Sequence, residues 1–260
     1  MYNRNFYRFK NSNEYEYSWV GKYGAPGEKR QKKRKPTPEQ VRKQNQFNRV
    51  NKVRRLIKAN FTSRDYWCTL KYPKGARPPI ETVKKDLKNF FTKMRSRYKK
   101  HNQPFKYIYR VEIGRRGGVH IHVLLNRIRG TPDTDIIVRD CWKHAGSINY
   151  QLLYETGGYE ELAEYIVKVP DDEQMQQLSL FDDAQQKKLR SYNHSKNLII
   201  PLPEKKKYLR WTMKKIVDNG PVPTKGYYID KNSIRSGINQ YTGKSYLYYT
   251  EYLIEPKEGG

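Results

Sequence analysis

Two cysteines, five histidines, few acidic residues and no long apolar run set the first limits on this 260-residue chain. Cys68 and Cys141 are far apart and form no Cys-x-x-Cys pair, which argues against a disulfide framework and a zinc finger and fits a reducing compartment. A membrane span needs about 20 consecutive apolar residues. No run approaches that length, and the opening MYNRNFYRFK lacks the apolar core of a signal peptide, so a cytoplasmic protein with no membrane partner is expected. Against 26 Asp and Glu stand 53 Lys and Arg, a formal net charge of +27. Such an excess calls for an anionic partner, nucleic acid before a membrane surface. Hydrophobic residues make up only 36%, but 23 tyrosines and 8 phenylalanines supply bulky core material.

Residues 1–36 include EKRQKKRK at 28–35, which reads either as a solvated tail or as an arm lying along phosphates. Thr37-Pro38 is a helix start with Thr as cap. The helix to about residue 60 carries Val50, Val53 and Ile57 on one stripe and basic residues around much of the rest. A strand is expected at 65–72, and an amphipathic helix follows from Ile80, with Val83, Leu87, Phe90 and Met94 at spacings of three and four. Strands at about 105–113 and 119–126 flank Gly114-Arg115-Arg116-Gly117-Gly118 and read as an antiparallel hairpin. A helix at 133–145, a strand at 147–154 and a helix at 158–169 follow. Beyond them come an acidic loop at 170–186, a basic helix near 204–218 and a Tyr-rich hairpin across 226–254. The expected fold is α+β, an antiparallel central sheet with flanking helices. In this reading residues 1–60 are a basic arm and helix, 61–170 the core, and 171–260 additions to that core.

RGGVHIHVLLN, residues 116–126, places two of the five histidines on one face of one strand. His120 and His122 stand about 6–7 Å apart at their bases. With 114–118 as the loop, Ile113 pairs with Val119 and Glu112 with His120, on the same face. Two imidazoles and a carboxylate suit a divalent cation with open positions. The same pattern also occurs as two half-exposed surface histidines, but the apolar neighbours Val119, Ile121 and Val123 imply a buried strand, where histidine needs partners.

His-hydrophobic-His after a glycine-rich turn resembles the HUH endonucleases: rolling-circle replication initiators of plasmids and phages, conjugative relaxases and single-tyrosine transposases. Three ordered motifs of the initiators have counterparts here, in Cys68-Thr69-Leu70-Lys71-Tyr72, in Gly118-Val119-His120-Ile121-His122, and in Tyr165-Ile166-Val167-Lys168. The resemblance covers about residues 64–170. It implies a ferredoxin- or RRM-like core, Mg²⁺ or Mn²⁺ on His120, His122 and Glu112, and Tyr165 as the nucleophile assisted by Lys168. Origin DNA would be nicked as a single strand, leaving a 5′-phosphotyrosine and a 3′-hydroxyl, and rejoined at termination.

Tyr165 and Lys168, three apart, are expected on one helix face, with the ammonium favouring the phenolate. Tyr159, six positions earlier, is the rival nucleophile and lies roughly 120° around the helix. Because the tyrosine follows the histidines, an initiator is favoured over a relaxase, and the chain is long for a transposase. Lys32, Lys33, Arg34, Lys35, Arg54, Arg55, Arg115 and Arg116 are the expected DNA contacts. Gly243-Lys244-Ser245 lacks the upstream glycine of a phosphate loop, so a host helicase would open the duplex at an origin hairpin inside a bacterial cell. The non-enzyme alternative is a module that grips single strands with basic and aromatic side chains.

Overall fold

A computed structural model describes residues 1–20, 35–114, 117–128, 130–144, 146–153, 156–168, 192–239 and 243–254. It is α+β, with two antiparallel sheets and flanking helices. The chain divides into two compact units, one from residues 1–44 with 200–258 and the other from 45–199. No helix of the described residues is long and apolar enough to cross a membrane.

Residues at the start of the expected arm are strands. β1 (Tyr2–Arg8) and β2 (Ser12–Trp19) form a hairpin in which Tyr2 pairs with Trp19 and Phe6 with Tyr15. Alternation explains it: Tyr2, Phe6, Tyr15 and Tyr17 are buried, and the residues between them are mostly less so. α1 (Pro38–Asn60) opens as expected, in a capping box where the Gln40 N–H donates to Thr37 Oγ1 and the Thr37 N–H to Gln40 Oε1.

In the 45–199 unit follow β3 (Tyr66–Lys71), α2 (Ile80–Lys100), β4 (Tyr107–Ile113), β5 (Val119–Leu125), α3 (Thr134–Cys141), β6 (Ile148–Leu152), α4 (Glu160–Val167) and the short β7 (Asn193–His194). The sheet order is β6-β3-β5-β4-β7, antiparallel throughout. Cys68, Leu70, Ile121 and Val123 form one face and pack against Val83, Leu87, Phe90 and Met94 of α2 and Ile137 and Val138 of α3. On the other face Ile108 and Leu124 are covered by Val53, Leu56 and Ile57 of α1 and Ala163 and Ile166 of α4. α3 is shorter than expected because the chain turns away at Trp142, whose indole N–H donates to the Lys71 carbonyl at 3.1 Å.

The C-terminal stretch does not add to this core. β8 (Glu204–Tyr208), α5 (Arg210–Asn219), β9 (Tyr227–Ile229), β10 (Arg235–Asn239) and β11 (Lys244–Leu253) join β1 and β2 in a second sheet, ordered β10-β11-β2-β1-β8 with β9 also on β11. Residues 204–208, expected as the start of a helix, are a strand because they pair along β1 from Tyr2↔Tyr208 to Phe6↔Glu204. Their lysines suit a sheet edge, where charge discourages pairing with another chain. Lys244 and Ser245 lie in β11, not in a phosphate loop.

Glu251 is fully buried in this unit. It accepts from Asn13 Nδ2 at 2.8 Å, from the Tyr15 hydroxyl at 2.9 Å and from the Thr224 N–H at 2.9 Å. Burial and Glu251, partly offset by Thr224, lift the Tyr15 phenol to about 12. Glu251→Ala should strand these donors and lower stability by about 3 kcal/mol, with Glu251→Gln losing less. Urea unfolding followed by near-ultraviolet circular dichroism measures it, and a loss below roughly 1 kcal/mol would contradict the assignment.

Candidate active site

The five-residue connection forms as expected. The Gly114 N–H donates to the Gly118 carbonyl at 2.8 Å, and Gly117 takes φ +77°, a conformation that favours glycine. Ile113 pairs with Val119 and Glu112 with His120. Register across three strands then stacks cross-strand rows on one face: Lys71–His120–Glu112, Thr69–His122–Arg110 and Trp67–Leu124–Ile108. The third row carries the apolar residues beneath α1 and α4, and the two polar rows lie nearer the turn.

Tyr165 reaches the polar rows from α4. Its hydroxyl donates to Glu112 Oε2 at 2.7 Å and lies 2.9 Å from His122 Nε2. His122 Nε2 is itself 3.0 Å from the same carboxylate oxygen. Because a carboxylate only accepts, the arrangement assigns both the phenol and the Nε2–H as donors to it. His122 Nδ1 lies 3.1 Å from Thr69 Oγ1, and the imidazole stacks on Trp67 with centroids 5.6 Å apart and planes 12° apart. The Trp67 ring meets Tyr165 edge-on at 5.9 Å.

Electrostatics follow from these contacts. The His122 bond, against the opposing effect of burial, holds the Glu112 carboxyl down to about 2, with help from Tyr165. Burial and then Glu112 push the Tyr165 phenol well above its ordinary value. Burial, then Lys71 and His122, lowers His120.

His120 shares the face and the row but not the cluster. Its ring centroid is 6.4 Å from that of His122, at 88°. It sits against the glycine turn, where a Cβ on Gly118 would be 4.0 Å from its Nε2. Of the expected set His120, His122 and Glu112, the last two meet, and no three His, Cys, Asp or Glu side chains among the described residues gather around one point. Beside His120 opens a cleft of about 430 Å³ lined by Lys71, Tyr72, Lys74 and Ser147 among others.

Lys168 does not share a helix face with Tyr165. α4 ends at Val167, and Lys168 follows with φ −51° and ψ 130°, exposed, its N–H bonded to the Tyr165 carbonyl. The cation beside Tyr165 is Arg110, which the sequence reading missed. Only 4% exposed, it donates from Nη1 to the Tyr165 carbonyl at 2.7 Å, and its Cζ is 6.0 Å from the phenol ring centroid. Strand alternation was the available signal, since Arg110 is two residues from Glu112 and shares its face.

Tyr159 is a core residue, 4% exposed, with φ 64° at the N-cap of α4, whereas Tyr165 is 36% exposed. Arg54 is largely buried, its Nη1 3.9 Å from Glu160 Oε2, Arg55 is half-buried and Lys35 is exposed. Lys32, Lys33, Arg34, Arg115 and Arg116 lie outside the described residues.

Residues 65–170 match the model of a replication-associated protein family, that of the ORF2 type. The matched span is less than half of the chain, and it contains every side chain of the cluster at Tyr165. The match supports a role as a replication initiator. Neither a curated protein nor a solved structure matched the chain.

Arg110→Met should release the last turn of α4. Amide exchange across 160–167, read by mass spectrometry on the full chain, should rise about tenfold or more. Unchanged protection would mean that apolar packing alone holds the helix.

Proposed function

We propose that the 45–199 unit nicks single-stranded origin DNA with Tyr165 as the nucleophile, and that the protein initiates rolling-circle replication. The observation that carries this reading is the Tyr165 hydroxyl, 2.7 Å from Glu112 Oε2 and 2.9 Å from His122 Nε2, delivered by a helix some 40 residues beyond the hairpin.

The phenol oxygen attacks the scissile phosphorus as the bond from phosphorus to the 3′ oxygen breaks. The strand leaves with a free 3′-hydroxyl, and its 5′ phosphate stays on Tyr165. A phenol held above its ordinary pKa must lose its proton for this, and the carboxylate and imidazole at its oxygen are acceptors within reach. Because the tyrosyl ester keeps the energy of the broken bond, attack by a 3′-hydroxyl reverses the step and rejoins the strand without a nucleotide cofactor.

His120, His122 and Glu112 offer two imidazoles and a carboxylate on one face of two paired strands, a donor set whose chemistry fits Mg²⁺ or Mn²⁺. Such an ion would polarise the phosphate and offset charge in the transition state. Thr69 and Trp67 orient the His122 ring, and Arg110 holds the backbone of the nucleophile. Lys71, in the row of His120 and at the cleft, lies where it can meet a phosphate of the incoming strand. Strand separation would fall to a host helicase.

Incubation with Mg²⁺ or Mn²⁺ and origin-bearing single strands should give protein covalently joined to the 5′ end, with the adduct mapping to Tyr165. Tyr165→Phe should abolish the adduct while the fold persists. Paired His120→Ala and His122→Ala changes, or EDTA, should slow cleavage about 100-fold or more yet leave much of the DNA binding. An adduct that survives Tyr165→Phe moves the nucleophile elsewhere. No adduct on any origin strand, with binding intact, favours a non-catalytic binding module.

A further inference from the structure

We infer that the face of the second sheet turned away from α5 binds single-stranded DNA. This extends the functional reading above to a second contact with the same substrate class, but it does not depend on the chemistry at Tyr165.

The two faces of that sheet differ in kind. Tyr2, Phe6, Tyr15, Tyr17, Leu247 and Tyr249 form the buried face with Met213 of α5. Along β11 the alternate residues Tyr246, Tyr248 and Tyr252 point the other way and are half-buried, and Tyr228 of β9, paired with Tyr252, is 53% exposed. Outward positions of a sheet beside water are usually filled with polar side chains. Four tyrosines there supply rings where solubility alone asks for none.

Tyr246 has an unusual posture. A Cβ added at Gly237 would sit 2.9 Å from the Tyr246 hydroxyl oxygen and 3.3 Å from a ring carbon. The ring therefore crosses the glycine and lies along the sheet, presenting its π face outward. Its centroid is 5.6 Å from that of Tyr248, and those of Tyr228 and Tyr252 are 6.0 Å apart, so the rings come in two pairs.

Cations border the rings. The cross-strand row of Tyr246 runs through Ser18 and Asn3 to Lys207, and that of Tyr248 through Glu16 and Asn5 to Lys205. Both lysines are exposed and lie about 14 Å from the rings. On these strands Glu14 is buried and Glu16 accepts from Asn5 Nδ2 at 3.3 Å. Rings for bases, amides between them and ammonium groups for phosphates are the requirements of a single strand. A duplex keeps its bases stacked on each other, and a protein partner would favour a charge-depleted apolar centre.

The test uses the full chain carrying Tyr165→Phe, in EDTA so that nothing is cut, with fluorescein-labelled oligothymidine followed by anisotropy. Paired Tyr246→Ala and Tyr248→Ala changes should weaken binding about tenfold or more, while Tyr246→Phe with Tyr248→Phe stays near the parent. Gly237→Val, which displaces the ring, should act like the alanine pair. Lys205→Gln with Lys207→Gln should lower the slope of log K against log salt by roughly 0.7 per lysine. Should the alanine pair fail to fold, the glutamine pair and Gly237→Val decide. Unchanged affinity and salt slope in the folded variants overturn the inference, as does an equal or larger loss on duplex DNA. If the alanine pair weakens binding as expected while unsubstituted Tyr165 forms no adduct with metal, the face stands and the nicking reading falls.

Discussion

The closure of residues 114–118 determines which side chains of the 45–199 unit can meet. One hydrogen bond between Gly114 and Gly118, with Gly117 in a conformation that favours glycine, fixes the pairing of β4 with β5. A slip of one residue would carry Glu112 and Arg110 to the opposite face together, because alternation links them. Glu112 would then face the apolar side packed under α2, and His122 would lose its carboxylate. The polar rows are thus consequences of a turn that bears none of their chemistry.

Tyr165 is held from both ends by one strand. Arg110 takes its carbonyl and Glu112 its hydroxyl, and these two residues are neighbours on the same face of β4. A buried guanidinium is costly without partners, and the final carbonyls of a helix are well placed to receive it, since they concentrate the negative end of the helix dipole. The arrangement meets two needs at once, satisfying α4's last turn and setting the reach of the phenol. Lys168, one residue past the helix, has no comparable hold.

Much of the 45–199 unit was legible in the sequence because its signals are local. The 3.6 period of α2, the glycine turn and the capping box at Thr37 all act within a few residues. Glu112 opposite His120 followed from counting loop residues. The second sheet was not legible, since β1 and β2 owe their place to partners more than 200 residues away, and Lys205–Lys207 read as a helix until β1 lies beside them. Arg110 escaped for a related reason: its carbonyl partners lie 55 and 56 residues on, and no spacing rule links a strand arginine to a helix end. His120 departs from the expected cluster by the direction of its ring, which backbone register does not set.

Thr69 is small and easily passed over, yet its hydroxyl can both give and receive a hydrogen bond. With Nε2–H given to Glu112, His122 needs a donor at Nδ1, and the Thr69 O–H provides one. If the ring proton moves to Nδ1, the same oxygen turns its lone pair toward it at the same 3.1 Å. His122 can therefore exchange tautomers without moving a heavy atom, and the nitrogen that faces Glu112 and Tyr165 changes from donor to bare lone pair. A valine there would leave Nδ1 without a partner in either form, and an asparagine would need to flip its amide to follow. One rotating hydroxyl lets a rigidly stacked ring serve two protonation patterns.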